Sequence, residues 1–300
     1  MIVRLSQFWS SLPATSRGIV VMLAATVCFS SMHATIRYLA GELHPFQMAF
    51  FRNFFGMIVF LPVIARSGLG FLATTRIDLH LLRAALNIAA MLSFFTAVST
   101  TPLARVTALS FTSPIFMAAL AVLLLGERIY LRRTMAIAGG FLGMLIVIRP
   151  GLADVDTGSL LALFSAAVWA VAMIVIKVLS RTDSSLTITG YMTVLLSLLS
   201  LPPAVMVWRD PSPAAWALLV FIGISGTFAQ ILLAEAISQA DAGVVMPFDF
   251  LKLVWATLFG FLLFTELPDL WTVVGAVVIF ASGTYIAYRE TRAARRAAPK

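Results

Sequence analysis

Charge is what this 300-residue chain has least of. Asp, Glu, Lys and Arg make up 11% of it and hydrophobic residues 61%, whereas a soluble domain carries about 25% charge. At a mean hydropathy of +0.99, a water-soluble globule could not hide so much apolar surface. Cysteine is nearly absent. Cys28 stands alone, which excludes a disulfide framework or a thiolate metal site within the chain. The three histidines, His33, His44 and His80, form no metal-ligand constellation with it. No serine elbow and no carboxylate cluster occurs in the apolar runs, so neither an enzyme nor a cofactor or metal is expected. The net charge of +8 sits mostly in short connections and the tail, which points to a lipid bilayer and not to nucleic acid.

What is present is a series of ten apolar segments, roughly 18–39, 45–66, 79–99, 104–125, 132–149, 158–179, 186–208, 214–237, 242–265 and 269–288. Most reach the ~20 residues that span a hydrocarbon core as a helix, whereas barrel strands are shorter and alternate in polarity. The first run is too long for a signal-peptide core and reads as a retained span. The connections leave no room for a soluble domain. An amino terminus on the inside places Arg4, Arg17, Arg66, Arg76, Arg128, Arg132, Arg133, Arg181, Arg289, Arg292, Arg295, Arg296 and Lys300 on the cytoplasmic side, against Arg105, Arg149 and Arg209 outside. The positive-inside rule then predicts both termini in the cytoplasm. The basic tail is a topology anchor or a contact for anionic lipid.

The chain also repeats itself. Phe29 and Arg37 recur as Trp169 and Lys177; Gly126-Glu127 and Gly143 recur as Thr265-Glu266 and Gly283. Each half, 1–151 and 152–300, holds five spans. Five is odd, so the second half enters the membrane facing the other way. The fold class expected is therefore an all-α membrane protein of ten transmembrane helices arranged as two inverted five-helix repeats, with a substrate site between them.

These residues carry a family resemblance. Leu23-Ala24-Ala25, Phe29, Ser30 and Arg37 in the first span are matched by Leu161-Ala162-Leu163, Trp169, Ala170 and Lys177 in the sixth. Ser113-Pro114, Gly126-Glu127-Arg128, Gly139 and Gly143 are followed in the second half by Thr265-Glu266, Gly275 and Gly283. The chain resembles the drug/metabolite transporter superfamily with two EamA-type halves, over nearly its whole length. The resemblance implies a bacterial inner-membrane carrier working by alternating access, many of whose relatives export amino acids or other small metabolites. Thr265-Glu266-Leu267 departs from the glycine-glutamate-arginine that the first half keeps.

Polar residues inside the spans mark the candidate site, because a mid-span charge costs about 2.5–3.5 kcal/mol on insertion scales. Lys252 lies near mid-bilayer, and Asp249 shares its helix face three residues earlier. Either the pair neutralises itself in a packed core, or it faces a cavity and binds the two charges of a zwitterion. Aligning Glu127 with Glu266 sets Ser110 and Ser113 opposite Asp249 and Lys252. Thr107, Ser110 and Ser113 then read as a hydroxyl stripe, unless they merely bond back to their own helix. Pro114 and Pro247 predict local unwinding of the fourth and ninth spans. His33, Asn87 and Gln230 are further substrate-binding candidates, or packing and interhelical groups. Trp169 takes the repeat position of Phe29 as an aromatic wall. Arg37 and Lys177 either snorkel from span ends or act as gating charges, one per side; Glu127 and Glu266 end their spans on opposite sides as structural or gating carboxylates. Gly139 and Gly143 suit close helix packing within the chain or in a dimer.

The leading function is export of amino acids, aromatic or apolar ones included, or of related metabolites, by a monomer or weak dimer, with a proton on Asp249 or Glu235 as the open route to coupling. The alternative is a multidrug or quaternary-cation exporter on the same scaffold, against which Lys252 argues.

Overall fold

A computed structural model describes residues 13–67, 73–125, 131–150, 156–239 and 245–297. Eleven α-helices and one 3-10 turn lie among these residues, with no strand. They are α1 (Ala14–Leu39), α2 (Pro45–Ser67), α3 (Ile77–Thr100), α4 (Leu103–Ser110), α5 (Ser113–Leu125), α6 (Leu131–Ile148), α7 (Thr157–Leu179), α8 (Ser185–Met206), α9 (Pro213–Gln239), the 3-10 turn Met246–Phe250, α10 (Leu251–Phe264) and α11 (Leu270–Ala297). Seven apolar stretches are long enough to cross a membrane. Hydrocarbon offers backbone groups no water, so each span closes its hydrogen bonds within itself. The chain is a multi-pass, all-α membrane protein with ten spans.

Two spans are not continuous. The fourth is α4 and α5, separated by Phe111 and Thr112; the ninth is the 3-10 turn followed by α10. Proline causes both. Pro114 is the second residue of α5, where a missing N–H is harmless to the new helix but cannot support the old one. Pro247 is the second residue of the 3-10 turn. Between α4 and α5 the Thr112 N–H donates to Leu109 O at 3.0 Å, a tightened turn. The hydroxyl stripe expected along one helix therefore does not exist as such, because the break between Ser110 and Ser113 re-aims the second half of the span. The tenth span is also longer than expected. α11 runs on to Ala297 through Ala- and Arg-rich sequence of high helix propensity.

The packing obeys the inverted repeat. α1 packs along α9, and its counterpart α7 packs along α3. α1 touches α10, and α7 touches α4 and α5. α2 packs on α8 and α6 on α11, pairs that map onto themselves when the halves exchange. The α6–α11 contact explains Gly143 and Gly275. A Cβ on Gly143 would stand 2.9 Å from Gly275 O, and one on Gly275 would stand 2.6 Å from Gly143 O. The glycine face is thus used inside the chain.

Candidate functional site

The unwound start of the ninth span gives the interior its charges. Asp249 sits in the 3-10 turn and Lys252 in the first turn of α10, with Lys252 Nζ 2.6 Å from Asp249 Oδ1. Their side chains are 19% and 14% exposed, so the pair is neither sealed nor free. Adjacent residues of α1 hold the lysine from two sides. Its Nζ lies 4.3 Å from the Phe29 ring centroid, a cation–π contact, and the Ser30 hydroxyl donates to Lys252 O at 3.3 Å. One turn further along α1, the His33 ring meets Phe94 of α3 edge-on at 4.9 Å and Phe29 at 6.4 Å. Phe111 and Phe250 stand 5.5 Å apart, and Phe250 reaches Phe280 at 4.1 Å. Positions 111 and 250 are repeat mates by the same alignment that pairs Glu127 with Glu266, so the two helix breaks meet ring to ring. The arrangement offers one cation, one anion and several aromatic faces to a small solute.

Of the other expected residues, Thr107 is buried, and the Ser110 hydroxyl is spent on Thr107 O at 2.7 Å. Ser113 opens α5, half-buried. Asn87 of α3 is 3% exposed, with neither amide atom hydrogen-bonded. A buried amide left unpaired is costly. Gln230 is half-buried on α9, and Trp169 is 39% exposed on α7. Among the described residues, neither shares a hydrogen bond or ring contact with the Lys252 cluster. Lys177 lies in the last turn of α7, and Glu127 lies outside the described residues.

Arg37 does not snorkel. Its side chain is 16% exposed and forms an ion pair with Glu266. The same guanidinium donates to Val98 O at 3.1 Å and Thr101 O at 3.0 Å, while Glu266 Oε2 accepts from Leu103 N at 3.3 Å. Thr265 takes a left-handed conformation, φ 57°, at the C-cap of α10 and turns Glu266 back. A β-branched residue is strained there, and the repeat position in the first half is Gly126. On the same face the Thr101 hydroxyl donates to Asp156 at 2.6 Å, and Arg105 to Asp156 at 3.2 Å. Arg105 also approaches Asp269 at 4.0 Å, and Arg149 pairs with Asp269. A continuous ionic net thus ties both halves together at one membrane face. Asp156 and Asp269 are N-caps, accepting from the N–H groups of Ser159 and Thr272 at 2.8 Å. Partial burial opposes charge on Asp156, but bonds from Thr101 and Ser159, with Arg105 nearby, hold its carboxyl below the ordinary value. Burial opposes Asp269 too, and Thr272 with Arg149 and Arg105 lowers it overall.

Sequence reasoning passed over three features. Arg52 and Arg83 lie inside α2 and α3, where the cue that singled out Lys252 applied equally. Arg83 donates to Ile188 O at 2.8 Å and Met192 Sδ at 3.0 Å on α8. At the opposite membrane face from the ionic net, His80 Nε2 lies 2.6 Å from Asp183 Oδ2, which also accepts from the Thr74 hydroxyl at 2.7 Å. The Thr74 bond and then the His80 bond hold the Asp183 carboxyl below its ordinary value.

Comparison with known proteins agrees with this architecture. Residues 16–149 and 156–288 each match the EamA-like transporter family. The S-adenosylmethionine uptake transporter of Rickettsia prowazekii is 34% identical over 92% of this chain and 94% of its own. The riboflavin transporter of Brucella anthropi is 31% identical over 83% and 90%. The pseudopaline exporter of Pseudomonas aeruginosa is 27% identical over 87% and 93%. A solved crystal structure of 16% identity shares the fold with a TM-score of 0.62, over 94% of this chain and 99% of that one.

Proposed function

The chain belongs to the EamA-like transporter family, and on that premise we propose that it carries a zwitterionic metabolite with an aromatic part across the bacterial inner membrane by alternating access. S-adenosylmethionine is the first candidate, and aromatic amino acids belong to the same class. The Lys252–Asp249 pair against Phe29 carries the reading. A zwitterion brings both charges and can exchange its own groups for those of the pair, so neither protein charge is left unpaired in a desolvated site. The rings at 29, 94, 111 and 250 suit an adenine or phenyl group. The relatives named for S-adenosylmethionine and riboflavin favour a solute with a flat aromatic part among the amino acids and related metabolites expected from sequence. Lys252 weighs against permanent cations that lack a carboxylate as the main cargo.

In this reading residues 1–151 and 152–300 are the two moving halves. Both termini are cytoplasmic by the positive-inside rule, which puts the Arg37–Glu266 net outside. That net closes the outer entrance, with Arg37 and Glu266 as its gating charges and Lys177 and Glu127 in the equivalent role within. Asp249 or Glu235 carries the coupling proton in this reading. The Gly143 face, already used by α11, supports a monomeric carrier.

Counterflow in proteoliposomes with S-adenosylmethionine, riboflavin, phenylalanine and a quaternary ammonium dye, with and without a pH gradient, tests this. Exchange of S-adenosylmethionine or phenylalanine is expected. Exchange of the dye alone would sink the zwitterion reading, and indifference to the gradient would remove the proton.

A further inference from the structure

Among the described residues Arg52 and Arg83 are interior cations that no carboxylate holds; Arg83 is spent on Ile188 O and Met192 Sδ of α8, which leaves Arg52. It lies seven residues beyond the start of α2, roughly 10 Å along the helix at 1.5 Å per residue, well inside the hydrocarbon region. A guanidinium at that depth needs a partner or an aqueous cavity. Its Nη1 donates to Asn53 Oδ1 at 2.9 Å. Asn53 is fixed from the other side, its amide donating to Leu196 O at 3.4 Å and Ser200 Oγ at 3.3 Å on α8. Asn53 therefore orients the guanidinium without neutralising it. Arginine carries five N–H donors, and the other nitrogens of Arg52 are not among the sealed, unpartnered atoms that Arg37, Arg83, Arg105 and Arg149 each show. Arg52 as a whole is half-buried.

Arg52 stands beside α1, the helix that holds Lys252. His33 lies within electrostatic reach of both Arg52 and Lys252. Gly226 of α9 lets the guanidinium in, since a Cβ there would stand 3.2 Å from Arg52 Nε and 2.6 Å from Met32 Sδ of α1. The described charges acting on His33 are thus two cations, Arg52 and Lys252, and the one carboxylate beside them, Asp249, is already paired with Lys252. The imbalance calls for an anion from outside the chain.

We propose that Arg52 is an anion subsite, its guanidinium gripping the carboxylate of the substrate through paired N–H donors while Asp249 takes the cationic end. Arginine suits this because its planar fork matches a carboxylate. Lys252, released as Asp249 turns to the cationic end, shares the carboxylate with Arg52. The subsite rests on the zwitterion reading above and narrows it to substrates with a free carboxylate.

Pairs of compounds differing only in that group provide the test: S-adenosylmethionine against its decarboxylated form, and phenylalanine against phenethylamine. Counterflow KM values are compared for the wild type, Arg52→Gln and Arg52→Lys. The wild type is expected to favour the carboxylated member at least tenfold. Arg52→Gln raises KM for that member 10- to 100-fold and leaves its partner within twofold; Arg52→Lys falls between. If Arg52→Gln does not fold, the selective loss in Arg52→Lys carries the same weight. Equal KM values within a pair for the wild type, or equal weakening of both members in the variants, overturns the subsite. A carboxylate preference confined to the phenylalanine pair removes S-adenosylmethionine and keeps the subsite. Exchange of none of the four compounds overturns both.

Discussion

The fourth and ninth spans are the same piece of architecture with different chemistry. Both are interrupted beside a proline, and the junction at 111–112 in one is the repeat mate of the junction at 250–251 in the other. Yet where the fourth span offers Ser110 and Ser113, the ninth offers Asp249 and Lys252. Ser110 turns its hydroxyl inward to Thr107 O, whereas Asp249 and Lys252 face each other and Lys252 lies over the Phe29 ring. The break is thus a property of the scaffold, and the charge is a property of one half. In the function proposed above, the duplicated framework supplies the two-fold motion and one copy alone carries the charges for recognition.

The sharpest way to break the comparison is at its charged end. Lys252→Ala should lower counterflow of the zwitterion at least 100-fold, while Ser113→Ala, at the mate position, should change it less than threefold. Similar losses in both variants would mean the halves recognise substrate equally. Next comes the Glu266 end of the ninth span. Arg37→Ala strands Glu266 in a largely desolvated position and should cost about 3 kcal/mol of stability, read by thermal unfolding in detergent. Arg37→Met with Glu266→Met removes both charges and should recover most of it. The surrounding net adds an acid limit. Asp156 and Asp269 are held below their ordinary values. The stability they contribute is therefore complete above roughly pH 4 and is lost as pH falls through their lowered values. Asp156→Asn should flatten that acid transition. The smallest effect expected is a gain. Thr265→Gly relaxes the left-handed C-cap to what Gly126 offers the first half, and should raise stability by about 1 kcal/mol.

Much of this was legible before any coordinates. Ten spans follow from run length, inversion from the odd count, and the broken helices from Pro114 and Pro247. Lys252 stood out because a lysine has no local reason to sit mid-span. What the linear pattern did not show depends on distant partners. Arg37 and Glu266 are 229 positions apart, and only the packing of α1 on α10 makes them a pair instead of two snorkelling ends. The hydroxyl stripe failed because its spacing assumes an unbroken helix, and two residues outside the helix at Phe111 and Thr112 re-aim all that follows. Arg52 carried the same signal as Lys252 but lay nearer a span end, where depth is misjudged until α2, α8 and α9 are assembled around it.

The contact between Phe111 and Phe250 has a geometric consequence. When an inverted-repeat carrier switches sides, the first half takes up the arrangement of the second, and each contact is replaced by its mate. A contact between two mates is its own replacement. These rings can therefore remain together at both ends of the stroke, as a fulcrum about which the remaining contacts trade places.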